Sequence, residues 1–79
     1  MFTVKQLSRM AGVTPRTLHY YDQIDLLKPT QIGANGYRYY GEQALLRLQQ
    51  ILVYRELGLG LEQIAEIFAS PDYDLIVVL

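Results

Sequence analysis

The 79-residue chain has no cysteine, which excludes disulfide staples, thiolate nucleophiles and cysteine-ligated zinc together. It has a single histidine, His19, and one histidine cannot build a multi-histidine metal centre. No apolar run approaches the roughly 20 residues of a membrane span. The N-terminus also lacks the apolar stretch of a signal peptide. The expectation is a soluble cytoplasmic protein with no membrane partner and no cofactor. Charge is sparse as well, at 19% of residues with a formal net charge of −1. What is plentiful is apolar surface, 51% of the chain, a globular rather than a disordered composition. At about 0.05–0.15 kcal/mol per residue, a chain of this size is stable by roughly 4–12 kcal/mol. That folds one small module and leaves little to support a deep catalytic cleft. Glu42, Glu62 and Glu66 are spaced as the solvent face of helices, and no nucleophile–base pair or phosphate-cradling glycine loop stands out. An enzyme is not expected.

The charge is unevenly divided. Residues 1–41 carry Lys5, Arg9, Arg16, Lys28 and Arg38 against Asp22 and Asp25, a net +3. Residues 42–79 carry Arg47 and Arg55 against six carboxylates, a net −4. A front that faces a polyanion and an acidic back are what this asymmetry suggests.

Period and punctuation give four helices and one hairpin. Thr3 can cap a first helix whose apolar positions are Val4, Leu7, Met10 and Ala11, and Gly12 ends it. Thr14-Pro15 restarts a helix at once, with a capping hydroxyl and a proline at the first helical position. Two helices joined by about three residues have helix-turn-helix spacing. The second helix, Pro15 to about Ile24, has two faces. Leu18 and Tyr21 point to the core, while Arg16, His19, Tyr20 and Gln23 form a polar and aromatic stripe at i, i+3, i+4 and i+7. Residues 30–32 and 37–40, joined through Gly33-Ala34-Asn35-Gly36, read as a two-stranded hairpin, a wing. Its alternation sets Tyr37 and Tyr39 on one face and Arg38 and Tyr40 on the other. A third helix runs from Gly41-Glu42 to about Leu57 with Leu45, Leu48 and Leu52 as its core line. Leu61, Ile64, Ile67 and Phe68 mark a fourth, stopped by Ser70-Pro71.

Three runs then fall in one order: Pro15-Arg16-Thr17-Leu18-His19-Tyr20-Tyr21-Asp22, Leu26-Leu27-Lys28-Pro29 and Asn35-Gly36-Tyr37-Arg38-Tyr39-Tyr40. Together with Gln49 to Leu61, including Arg55-Glu56-Leu57-Gly58, they resemble the MerR family of bacterial transcription regulators, and most nearly its TipA-like branch. The likeness covers residues 2–70 and implies a winged helix-turn-helix DNA-binding domain over residues 1–70. It also implies a function. Two subunits would bind a palindromic promoter, and bend and untwist the DNA so that RNA polymerase meets properly spaced elements when an effector binds. In that family dimerisation comes from a long helix that follows this domain. The tail from 71 to 79, with its Leu75-Ile76-Val77-Val78-Leu79 run, reads as the start of a missing or truncated helix of that kind. A homodimer is therefore expected of a full-length protein, and a monomer or weak dimer of this chain. Two departures from the family pattern stand out: His19 where arginine is usual, and Asp25 where glycine is usual.

The residues expected to meet DNA are Thr14, Arg16, Thr17, His19, Tyr20, Tyr37, Arg38 and Arg55. Arginine can bind guanine O6 and N7 bidentately or hold phosphate, and this makes Arg16 the leading candidate over a merely solvated side chain. Thr14 and Thr17 can donate to phosphate at a helix start, although Thr14 serves equally as a cap. Tyr37 and Arg38 suit backbone anchoring by the wing; Arg55 reaches either phosphate or an acidic neighbour. Lys5 and Lys28 contribute long-range charge. Two other readings remain open. An architectural DNA binder of the excisionase type shares this fold, and a short chain of this kind can also sequester full-length relatives.

Overall fold

Thr3 organises the start of the chain. Its Oγ1 accepts from the Gln6 amide at 3.1 Å, and Gln6 Oε1 accepts from the Thr3 amide at 2.9 Å, a reciprocal capping box. This launches α1 (Val4–Ala11) in a computed structural model that describes residues 1–70. Expectations for the 71–79 tail lie outside those residues. Gly12 ends α1 at φ +72°, the left-handed region that favours glycine, and the Val13 amide returns to the Ser8 carbonyl at 3.0 Å. Thr14 then caps α2 (Pro15–Gln23), its Oγ1 accepting from the Thr17 amide at 3.1 Å. At the exit of α2, Asp25 takes φ +59°, the one non-glycine residue with positive φ among those described. The amides of Leu26 and Leu27 both reach back to the Tyr21 carbonyl.

The wing is larger than the hairpin foreseen. β2 (Gln31–Ile32) and β3 (Arg38–Tyr40) pair antiparallel, and Phe2–Thr3 adds a third strand, β1, on the other side of β3. The sheet order is β1-β3-β2. Two residues carry too little period to announce a strand, so β1 was invisible as a pattern; it exists because β3 offers it an open edge. At the wing tip the Gly36 amide donates to the Gly33 carbonyl at 2.9 Å, and Gly36 sits at φ +81°.

α3 (Glu42–Glu56) and α4 (Leu61–Ala69) complete the fold. Neither N-terminal glycine has a side chain to cap with. The Gly60 amide instead donates to Gln63 Oε1 at 2.8 Å, and the Gly41 amide to Thr30 Oγ1 at 2.8 Å. The core joins every helix and the wing: Leu7, Leu18, Tyr21, Leu26, Leu27, Tyr40, Ala44, Leu48, Ile51 and Ile64 are all buried. Two expectations are corrected. The buried line of α3 is Ala44, Leu48 and Ile51, with Leu45 and Leu52 only half-buried at its flanks, so the helix is rotated relative to the leucine line. Met10 of α1 is 54% exposed, because the buried face of α1 centres on Leu7 and Ser8. Ser8 tolerates burial because its Oγ donates to the Lys5 carbonyl at 3.0 Å. Arg47 closes the far side: its guanidinium lies 4.2 Å from the centre of the Phe68 ring, and its Nε donates to the Leu26 carbonyl at 3.1 Å.

Candidate nucleic-acid interface

α2 is held by Leu18 and Tyr21 in the core, which turns the opposite face outward. Arg16, His19, Tyr20 and Gln23 are all exposed, as the helical spacing predicts. Tyr20 is 49% exposed, and its ring is tilted against Tyr21 at 6.5 Å between centres, so one tyrosine is core and its neighbour is surface. Thr14 and Thr17 spend hydroxyl capacity on each other, their Oγ1 atoms 3.0 Å apart. That bond steadies the helix start and leaves each hydroxyl with remaining capacity for an outside partner.

The wing stands on the same flank as this stripe. A groove of about 480 Å³ is lined by Thr3, Val4 and Lys5, by His19, and by Gly36, Tyr37 and Arg38. The start of α1, the middle of α2 and the wing strand thus share one concavity. Tyr37 is 64% exposed there, its amide held by Asn35 Oδ1 at 3.0 Å. Arg38, expected to anchor backbone, has a protein partner as well. Its Nε donates to Asp22 Oδ2 at 3.0 Å, and the side chain keeps a third of its surface exposed. Arg55 also has a protein partner, which among the described residues is a carbonyl and not an acid: its Nη1 donates to the Leu59 carbonyl at 3.3 Å, stitching the turn between α3 and α4.

Asp22, Asp25, Lys28 and Arg38 form one network. Lys28 Nζ lies 2.9 Å from Asp22 Oδ1 and 2.8 Å from Asp25 Oδ1. The hydrogen bond from Lys28 lowers the Asp22 carboxyl below its ordinary range; partial burial opposes it and Arg38 adds to it. Lys28 is raised in turn by Asp25 first and Asp22 second. Tyr40 lies behind, its hydroxyl buried without a hydrogen-bond partner and its acidity weakened by burial and then by the Asp22 charge. Two acids and two bases cancel here. The net +3 of residues 1–41 therefore rests on Lys5, Arg9 and Arg16, which make no ion pair among the described residues. Sequence reasoning missed Asp22 as the hub. The Asp25–Lys28 spacing was a visible local signal, but the Asp22–Arg38 pair joins elements 16 residues apart.

The residues that build this face fall within a region matching the family described as "MerR HTH family regulatory protein", over residues 2–70. The chain belongs to the MerR family. It is 48% identical over 73 residues to the HTH-type transcriptional activator TipA of Streptomyces coelicolor, covering 92% of this chain and 29% of TipA. The crystal structure of the N-terminus of MtaN, the Bacillus subtilis multidrug transporter activator, superposes with a TM-score of 0.89 at 42% identity. That match covers 99% of this chain and 74% of MtaN's. EcmrR, solved as a complex with DNA in EcmrR-RPo, matches with a TM-score of 0.80 at 37% identity, over 85% of this chain and 25% of EcmrR's. The chain spans between about a quarter and a half of the length of the curated relatives it matches. Among the described residues, no helix is long and apolar enough to cross a membrane, and no group of three His, Asp or Glu residues is placed to hold a metal ion.

Proposed function

We propose that residues 1–70 form the DNA-binding module of a MerR-type transcription regulator, with α2 in the major groove and the wing on the flanking backbone. The observation that carries this reading is the shared groove, in which His19 of α2 faces Tyr37 and Arg38 of the wing and Lys5 of α1. A major groove about 12 Å wide admits one helix. Arg16 reads a base or anchors a phosphate from the start of that helix, with Thr14, Thr17, His19 and Tyr20 beside it. Tyr37 and Arg38 hold the backbone, and Arg55 is the outermost contact. The DNA complex of EcmrR supports duplex DNA as the partner. At a promoter, RNA polymerase is the second partner. One module buries only about 600–1,000 Å² of protein surface on DNA, so two copies on a palindrome are needed for tight binding. Their reading helices then sit about 34 Å apart.

Selection of bound sequences from a random duplex library, using the chain itself, tests the reading. One short half-site should be enriched, with affinity falling steeply as salt rises. Recovery of unselected sequence at every round overturns sequence-specific reading, and affinity independent of salt overturns DNA binding altogether.

A further inference from the structure

Asp22 stands one residue before the end of α2 and points away from the exposed stripe, with its side chain only 16% exposed. Both of its oxygens are engaged: Oδ1 by Lys28 at 2.9 Å and Oδ2 by Arg38 Nε at 3.0 Å. Arg38 belongs to β3, the strand that carries the wing, and shares the inward face of that strand with the buried Tyr40. Tyr40, fully buried in the core beside Leu7 and Leu18, packs the wing onto the helices but carries no charge. β1 pairs with β3 through two residues only, Phe2 opposite Tyr40 and Thr3 opposite Tyr39. Among the described residues, the Asp22–Arg38 contact is the ion pair that joins α2 to the wing. It engages Arg38 through Nε, and the guanidinium remains partly open to the groove it shares with Lys5, His19 and Tyr37.

We propose that Asp22 is a positioning residue for DNA binding, which aims the Arg38 guanidinium at a backbone phosphate and sets the wing relative to α2. The inference rests on the DNA-binding reading above. A carboxylate near DNA would otherwise only repel it; here it acts as the inner partner that fixes an arginine's orientation, because a guanidinium has five donors in a rigid fork and can serve two anions at once. Asp22 touches no DNA itself.

A double-mutant cycle decides this, read by fluorescence anisotropy on a labelled 20-base-pair duplex of mixed sequence at several salt concentrations. Arg38→Ala should weaken binding about five- to tenfold and lower the salt slope by about one. Asp22→Ala should weaken binding nearly as much although it removes a negative charge, and the double variant should bind no worse than Arg38→Ala alone. Asp22→Asn, which keeps an acceptor for Arg38 Nε, should restore part of the loss, and Asp22→Leu replaces the alanine variant in the cycle if that one does not fold. Tighter binding by Asp22→Ala would mean that Asp22 merely masks Arg38 and would overturn the inference. Additive losses would mean a general structural role and overturn it equally. In both of those cases the DNA-binding reading stands. If Arg38→Ala leaves affinity and salt slope unchanged, the wing contact of that reading fails, and the inference falls with it.

Discussion

The two halves of the described chain divide the work unequally. Residues 1–41 contain three strands and two short helices of eight and nine residues, and these carry Lys5, Arg9 and Arg16, which have no ion-pair partner among the described residues. Residues 42–70 contain the 15-residue α3, the longest element, with α4 behind it and a predominance of acid. The front half makes short elements that could not stand alone, since isolated helices under about 12 residues are marginal in water. The back half supplies Ala44, Leu48, Ile51 and Ile64, the wall on which those elements rest. The cationic elements of the front half thus borrow their stability from the apolar wall that the back half supplies.

Breaking the wall should have the largest effect. Leu48 is fully buried, so Leu48→Ala should cost about 2–5 kcal/mol and lower the thermal midpoint of both halves together by circular dichroism. A front half that kept its helicity and its DNA affinity after α3 melted would break the comparison outright. Arg16→Ala tests the opposite side. It should weaken binding to the selected half-site by about 1–3 kcal/mol in anisotropy titrations and relax the preference at one base position, with the melting curve unmoved. Arg38→Ala should cost about 1 kcal/mol on every sequence alike.

Acid sharpens the point further. Asp22 is held below the ordinary aspartate range, so the folded state favours its ionised form. The stability this contributes is present above about pH 4 and is lost as pH falls through the folded value. Denaturant titrations should show a loss of stability on acidification that is smaller in Asp22→Asn. The smallest effect belongs to Arg55→Ala. One 3.3 Å bond to the Leu59 carbonyl is worth at most about 0.5 kcal/mol at an exposed site, and DNA affinity should fall by less than it does in Arg16→Ala. An equal fall would extend the DNA-facing surface into the back half.

Helix existence and the stripe on α2 were legible because they depend on local chemistry: Thr3 and Thr14 as caps, Gly12 as a stop, Leu18 and Tyr21 three apart. The side of the wing on which Arg38 and Tyr40 lie was legible from alternation alone. The rotation of α3 was not, since its leucines and its Ala44–Ile51 line are both periodic, and only contact with the front half selects between them. β1 was hidden for a related reason: a two-residue strand exists only through its partner. The inner partner of Arg38 was not legible, because Asp22 lies 16 positions away, beyond any helical or strand period. Asp25, which stands where the resemblance leads one to expect glycine, takes the left-handed conformation that explains that preference. Aspartate tolerates positive φ better than most residues, and the φ of +59° shows that this turn requires it.

The bend between α1 and α2 depends on handedness and not on room. At Gly12, where φ is +72°, an added Cβ would meet no atom within 4 Å. An ordinary alanine is disfavoured there by its own backbone, with no neighbour to blame, so its mirror-image counterpart should be welcome. A chain assembled by chemical synthesis with D-alanine at position 12 should keep the same angle between the two helices. It should also melt higher, because the unfolded chain loses freedom that glycine would have allowed it.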